Sequence, residues 1–351
     1  MSGKEAETDL ASRFRRLIER HGPMPVARYM GESNARYYAS RDPIGAGGDF
    51  TTAPEISQMF GEMVGLWFAD LWNRSGTPQA AYVELGPGRG TLASDALRAM
   101  ASQGLHPHVH LVEGSETLRA VQSGAIAQAQ FHDGIDSLPE DRPLYIVANE
   151  FLDALTIRQL VMTDRGWRER MVALDGDEFV FAAGPNPMDD AVPPHRRAQP
   201  VGSVIETCPA AAATVTELAR RIDVQGGAAL FIDYGYLSPQ TGETLQAVRA
   251  HEKVDPFAAP GEMDLTALVD FDTLSQIAKR EGLAVAATTQ GSWLKAMGID
   301  LRAQSLAQRS PDRADEIAKD HARLTGTDQM GELFKVMAIT LRDAPRGAGF
   351  D

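Results

Sequence analysis

The chain has 351 residues, 43% of them hydrophobic, and it carries 34 Lys and Arg against 48 Asp and Glu, a formal net charge of −14. This composition is ample for a globular core, and no apolar run approaches the roughly 18 residues that would indicate a membrane span. Proteins that bind nucleic acids usually present basic surfaces, so the acidic balance argues against DNA or RNA as a partner. Cys208 is the only cysteine, which excludes an internal disulfide.

The first ten residues contain two Glu and one Asp and have neither the apolar core of a signal peptide nor the Arg-rich character of a transit peptide. A chain with one cysteine is also compatible with a reducing compartment. The sequence therefore predicts a cytoplasmic protein.

Helical patterns open the chain, followed by a series of short apolar runs. Residues 10–38 have a helical pattern with a His-Gly-Pro break at 21–23, and 59–72 form a strongly apolar helix whose Trp67 and Trp72 are predicted core residues. Seven runs are predicted as strands: 80–85, 109–113, 127–131, 144–148, 228–233, 283–287 and 333–341. Helical segments between the early strands predict an α/β fold with a Rossmann-like sheet.

Two gaps between these strands are too long for simple crossovers. Residues 156–184 have the pattern of a β-meander, a Pro-rich loop follows, and 298–330 are charged and helical. The predicted organisation has four parts: an N-terminal helical cover at 1–75, a core at 76–155 and 226–341, a meander and loop insertion at 156–225, and a helical insertion at 298–330.

Between the first strand and the next helix lies a turn with an acid and three alternating glycines, Glu84, Gly86, Gly88 and Gly90. Glycines there permit positive φ and let a ligand approach the backbone. The pattern ExGxGxG resembles motif I of class I S-adenosylmethionine (SAM) methyltransferases, whose cationic ligand suits a nearby carboxylate. A dinucleotide site, which normally has GxGxxG, and a turn without a ligand are the alternatives.

The two following strands end in further acids. Glu113 comes 23 residues after Gly90, where a doubly wound fold places a carboxylate that binds ribose hydroxyls, and an ordinary strand-end acid is the alternative. Asp133, just after the third strand, is a candidate for the adenine amino group.

Several ordered blocks resemble the MidA family, which includes a mitochondrial complex I assembly factor regarded as a protein arginine methyltransferase. The blocks are GDFTTAPEISQ at 48–58, the ELGPGRGT turn, HLVE, ANEFLDAL at 148–155, IDYGY, TLQAV and DLTALVDF. The resemblance implies a seven-stranded class I methyltransferase sheet with an antiparallel last strand, SAM as cofactor, and a protein substrate such as a subunit of the respiratory NADH dehydrogenase. Two departures stand out: 29–38 is shorter than in the family, and Thr156 replaces an expected proline.

The fourth strand runs into the predicted catalytic residues, because open α/β sheets bind ligands at the carboxyl ends of their strands. The corresponding loop of arginine methyltransferases supplies a pair of acids, and this chain offers Glu150 and Asp153, with Glu150 first. Carboxylates can hold a guanidinium plane and accept its proton. Glu150 could instead cap a helix beginning at 151. Asn149 is a candidate for binding substrate or the methionine tail.

The family resemblance places Asp49, Thr51 and Thr52 over the SAM site. The alternative is local: Thr52 and Glu55 have the spacing of a capping box at a helix start. Asp233 and Tyr234, which end the fifth strand on the same edge, are expected to line the substrate channel or to be buried.

Two other enzymatic or binding functions remain open at this point. One is an oxygen methyltransferase acting on a small metabolite, which would need a general base such as histidine. His132 is the one histidine at a strand end on the reactive edge, so the sequence argues against this alternative. The other is a non-catalytic assembly factor that binds SAM structurally. His106, His108 and His110 alternate, but Pro107 interrupts them and no acid or thiol has ligand spacing, so no metal site is predicted.

Overall fold

A computed structural model of the protein describes residues 9–40, 52–249 and 252–350. Its helices are α1 (Leu10–His21), α2 (Val26–Ser40), α3 (Ala53–Ile56), α4 (Gln58–Arg74), α5 (Thr91–Ser102), α6 (Glu116–Ala125), α7 (Pro209–Gln225), α8 (Phe271–Arg280), α9 (Gln290–Ala296), α10 (Ile299–Arg309), α11 (Ala314–Thr325) and α12 (Met330–Leu333). Its strands are β1 (Met24–Pro25), β2 (Ala81–Leu85), β3 (His108–Val112), β4 (Gln130–His132), β5 (Leu144–Asn149), β6 (Arg158–Thr163), β7 (Gly166–Asp175), β8 (Glu178–Pro187), β9 (Val204–Thr207), β10 (Gly227–Tyr236), β11 (Gln246–Arg249), β12 (Glu252–Val254), β13 (Asp264–Thr266), β14 (Val269–Asp270), β15 (Ala284–Thr289) and β16 (Phe334–Thr340).

The chain forms two compact units, one from residues 1–42, 154–210 and 240–267, and the other from 43–153, 211–239 and 268–351. Residues 1–75 were predicted as one N-terminal cover, but the structure divides them between the units. Helices α1 and α2 belong to the first unit, whereas α3 and α4 belong to the second. The reason is the apolar surface of α4, which packs on α5 in the second unit.

The second unit contains the predicted sheet, in the order β15-β16-β10-β5-β2-β3-β4, with β14 paired to the end of β10. Neighbouring strands are parallel from β10 to β4, whereas β16 is antiparallel to both β10 and β15. Every residue of β2 is buried, as expected for a central parallel strand covered on both faces. The α/β fold class and the antiparallel last strand are thus confirmed.

Helix α4 comes unusually close to α5 because two of its residues are glycines. A Cβ on Gly65 would lie 2.3 Å from the carbonyl oxygen of Ala96, and one on Gly61 would lie 2.6 Å from Cβ of Asp95. Trp67 of the same helix is fully buried, as predicted, and Trp72 is partly buried with its indole N–H donating to Pro78 O at 2.7 Å. This packing fixes the helix that follows the glycine turn.

The first unit is rich in antiparallel strands. The stretch predicted as a β-meander forms β6, β7 and β8, in a sheet with β1 and β9, and β11, β12 and β13 form a second small sheet. Its core gathers aromatic side chains, and the phenol of Tyr29 donates to Pro256 O at 2.8 Å. Among the helices that the structure describes, none has the length and apolar content needed to cross a membrane.

The close contact of α4 and α5 predicts that Gly65→Ala destabilises the protein by about 1–3 kcal/mol, since the added methyl group would overlap backbone atoms that cannot yield locally. Gly124→Ala in α6 is the matched control: no atom lies within 4 Å of its Cβ position, and alanine favours a helix. Thermal unfolding midpoints of both variants test this. A Gly65→Ala protein that unfolds at or above the wild-type temperature would show that the two helices have room to separate.

Candidate active site

The strand, glycine turn and helix predicted around Gly86 are present in the second unit. Strand β2 ends at Leu85, α5 begins at Thr91, and Gly86, Gly88 and Gly90 have φ of 63°, 55° and 82°, values that suit glycine. A Cβ on Gly86 would lie 2.8 Å from a ring carbon of Phe151. The turn therefore needs its glycines for both backbone conformation and space.

A cleft that is partly open to solvent lies against this turn. Its lining combines the turn, the start of α3 and the end of β5: Thr52, Pro54, Glu55, Glu84, Gly86, Pro87, Gly88, Arg89, Thr91, Leu92, Asn149 and Glu150. The structure thus brings together two predicted groups that are far apart in sequence, the cofactor turn and the first catalytic candidate. Parallel strands β2 and β5 are neighbours, so both groups lie at one sheet edge.

Glu84 is the most buried acid of the cleft, with only 3% of its surface exposed. Its Oε2 accepts a hydrogen bond from the hydroxyl of Tyr82 at 2.6 Å. Loss of water around the carboxylate raises its pKa to about 8, although the Tyr82 hydrogen bond acts in the opposite direction. A cation at this position would offset the cost of ionising it.

Glu150 has a left-handed backbone, φ 50°, which is unusual for a residue with a side chain. Its Oε1 accepts hydrogen bonds from the backbone N–H of Ala53 and from Nδ2 of Asn149, both at 3.0 Å. Burial of the carboxylate raises its pKa to about 7. The buried Oδ1 of Asn149 has no hydrogen-bond partner among the described residues.

The helix-capping alternatives turn out differently from the predictions. No helix begins at 151, so Glu150 does not cap one there; instead its carboxylate receives the first N–H of α3. Thr52 occupies the N-cap position of α3, but its side chain makes no capping hydrogen bond. Glu55 accepts from the hydroxyl of Thr91 at 2.5 Å, so a capping box is not formed.

Asp233 shapes the loop that follows Glu150. Its Oδ2 accepts from the backbone N–H groups of Phe151, Leu152 and Asp153 at 3.1, 2.8 and 3.2 Å. Burial, with a contribution from Glu150, raises the pKa of Asp233 to about 7.

Asp153 is itself buried and is not among the residues that line the cleft. The ring of Tyr234 contacts that of Phe334, with centroids 3.9 Å apart and the planes tilted by 42°.

The two acids predicted to bind the ribose and the adenine, Glu113 and Asp133, are not among the residues that line the cleft. The carboxylate of Glu113 accepts from the backbone N–H of Ser115 at 2.8 Å and from Nε2 of Gln122 at 3.2 Å, and it lies outside the cleft lining. The side chain of Asp133 is 94% exposed and pairs with Arg119 at 2.5 Å. Asp49 and Thr51 fall outside the described residues.

Sequence reasoning missed residues that connect these parts. Gln122 on α6 is fully buried and donates to Gly88 O at 2.6 Å as well as to Glu113, so it ties the glycine turn to the end of β3. Tyr82 supports Glu84 from the same strand. Tyr82 reads as an apolar strand residue and Gln122 as an ordinary polar helix residue, and no local signal distinguishes them.

His110 pairs with His132 rather than with its neighbours in sequence, with ring nitrogens 2.9 Å apart, and His132 also lies 2.8 Å from the Ser137 hydroxyl. The described residues contain no group of His, Cys, Asp and Glu arranged to hold a metal ion.

Comparison with known proteins agrees with this geometry. A family model described as "Putative S-adenosyl-L-methionine-dependent methyltransferase" matches residues 63–289. Protein arginine methyltransferase NDUFAF7, mitochondrial, of Xenopus tropicalis is 36% identical over 92% of this chain and 83% of its own length, and the Homo sapiens protein is 33% identical over 96% and 86%. A superfamily member from Burkholderia thailandensis, solved with S-adenosyl-homocysteine bound, has a TM-score of 0.85 at 30% identity and covers 97% of this chain and 93% of its own.

Both arginine methyltransferase relatives are named as mitochondrial, so the predicted cytoplasmic location is wrong. The acidic character of residues 1–10, on which that prediction depended, is no guide to the compartment.

The glycine turn with its buried acid suits a cationic nucleoside, and the predicted SAM cofactor is confirmed by the family match. The length of that match and the identity to these relatives show that the chain belongs to this family of S-adenosyl-L-methionine-dependent methyltransferases.

Proposed function

We propose that this methyltransferase acts on an arginine side chain of a protein, and that the acceptor is a subunit of the respiratory NADH dehydrogenase. The observation that carries the proposal is the Glu150 carboxylate, which is desolvated and held at the edge of the cofactor cleft. A guanidinium is recognised best by a fixed carboxylate. The arginine methyltransferase relatives support the substrate class, and the family resemblance supports the choice of partner and a role in complex I assembly.

In the proposed arrangement the cofactor is held by Glu84, Gly86 and Gly88, which line the cleft, together with Gly90. Glu113 is assigned to the ribose, Asp133 to the adenine, and Thr52 with Asp49 and Thr51 to a cover. The unpartnered Oδ1 of Asn149 can accept an N–H from the cofactor tail or from the substrate. A Cβ at position 86 would overlap the ring of Phe151, so that position admits no side chain. These features fit a nucleoside that approaches the backbone closely.

When bound, SAM supplies an electrophilic methyl group on a positively charged sulfur. Glu150 holds the guanidinium plane and draws positive charge away from the attacking nitrogen, whose lone pair forms the new N–C bond as the S–C bond breaks. Methyl transfer to a guanidinium leaves the methylated nitrogen with one extra proton, which Glu150 or Asp153 accepts, and the products are the methylguanidinium cation and S-adenosylhomocysteine. Asp233 fixes the 151–153 backbone and keeps both acids in place.

Cofactor binding tests the glycine turn. Gly86→Ala is expected to abolish binding of S-adenosylhomocysteine measured by isothermal titration, because its methyl group meets Phe151 and intrudes on the cleft. Gly104→Ala is the control: Gly104 also has a positive φ, 82°, but its Cβ position has no atom within 4 Å. Equal affinity of the two variants would contradict the assigned site.

The substrate class is tested by incubating the protein with methyl-labelled SAM and a protein extract, followed by hydrolysis and mass spectrometry. We expect label in methylarginine. Label confined to small molecules would favour the oxygen methyltransferase, although its candidate base His132 binds His110 and Ser137 and does not line the cleft. Binding of S-adenosylhomocysteine without any labelled product would favour the non-catalytic assembly factor.

The role of Glu150 predicts both a rate and a pH profile. Glu150→Gln should lower the rate of label transfer about 10²–10⁴-fold while S-adenosylhomocysteine still binds, since the shape is kept and the charge is lost. The wild-type rate should rise with pH and level off above about 7, where the carboxylate is ionised, and the variant should lack this rise. The exposed Glu140→Gln is the control, and Asp153→Asn shows which acid dominates.

A further inference from the structure

Tyr82 is a fully buried tyrosine on the same face of β2 as Glu84, two residues away. Its hydroxyl donates to Oε2 of Glu84 at 2.6 Å, and its ring packs edge-on against Phe68, with centroids 6.3 Å apart. Burial and the neighbouring carboxylate keep the pKa of Tyr82 well above its ordinary value, so the phenol remains a donor. The geometry is therefore that of a fixed donor behind the cleft acid.

The surroundings of Glu84 supply little other support for its charge. The residues opposite it on the flanking strands, Leu111 and Val147, are apolar. In the described part of the chain, the other charged side chains that line the cleft are Glu55, Arg89 and Glu150. Glu55 accepts from Thr91, and Glu150 accepts from Ala53 and Asn149. Among the described residues, Tyr82 is the side chain that donates a hydrogen bond to Glu84.

We infer that Tyr82 is a positioning residue of the cofactor cleft: by donating to Oε2 it favours the charged form of Glu84 and leaves Oε1 to meet the ammonium group of the cofactor tail. The inference rests on the proposed cofactor site and adds to it a residue and a pH dependence. A neutral carboxyl would meet the ammonium poorly, so binding of the tail releases the proton that Glu84 holds at neutral pH.

The direction in which affinity changes with pH follows from the pKa of Glu84, which burial raises to about 8. Below this value Glu84 holds a proton in the free protein and loses it on binding, so affinity for a ligand with the ammonium group should rise about tenfold per pH unit up to about 8. Removing the Tyr82 hydroxyl takes away the hydrogen bond that lowers the pKa of Glu84, and the rise should move to higher pH. A purely structural role of Tyr82 would weaken binding equally at every pH.

The experiment measures the affinity for S-adenosylhomocysteine by isothermal titration from pH 6 to 9 in wild type and Tyr82→Phe. The loss in the variant should be about tenfold at pH 7 and shrink toward about twofold at pH 9. Tyr145→Phe is the matched control, because Tyr145 lies opposite Tyr82 on β5, is similarly buried and also packs against Phe68. Titrations at pH 7 in two buffers of different ionisation enthalpy should show about one proton released by wild type.

Methylthioadenosine, which lacks the amino-acid tail, separates the possible outcomes. Its affinity should not vary with pH in this range if the ammonium group is what Glu84 meets. S-adenosylhomocysteine that binds with a flat pH profile, or a Tyr82→Phe loss that is constant with pH, would overturn the inference and leave the cofactor site intact. Failure of wild type to bind S-adenosylhomocysteine at all would instead overturn the proposed site.

Discussion

The site depends on removing three carboxylates from water at one edge of a parallel sheet. Glu84 and Asp233 lie within β2 and β10 near their carboxyl ends, Glu150 directly follows the neighbouring strand β5, and burial raises the pKa of each. Desolvated acids are costly unless they receive hydrogen bonds or meet a cation. The reaction proposed here provides cations at two of them, the cofactor and the guanidinium.

The hydrogen bonds already made by each acid separate structural from functional roles. Asp233 accepts from four backbone N–H groups, those of residues 151–153 and of Tyr234, and holds the loop. Glu150 accepts from one backbone N–H and one amide, and Glu84 from a single phenol. The fewer protein donors an acid has, the more of its charge is available to a ligand, and both of the less satisfied acids line the cleft.

The sequence was sufficient for the parts of the site that are local. The apolar run before Glu84, the glycines and the strand-end position of Glu150 are encoded within a few residues, and the sheet order then brings them together. It was insufficient for Gln122, Tyr82 and the contact of Glu150 with Ala53, which depend on how distant segments pack. Asp153 has the spacing of a paired acid, but its burial and its absence from the cleft lining depend on how the 151–153 loop folds, which spacing alone does not determine.

The short helix α3 contacts both the proposed substrate-binding acid, Glu150, and the helix that follows the glycine turn. Its first N–H is bound by Glu150, and its Glu55 accepts from Thr91 at the start of the helix that follows the glycine turn. A shift of α3 would therefore disturb the carboxylate proposed to orient the substrate and the helix that begins at the cofactor turn. Since methyl transfer needs both reactants aligned within a fraction of an ångström, a single element joined to both sides is a physical means of keeping them in register.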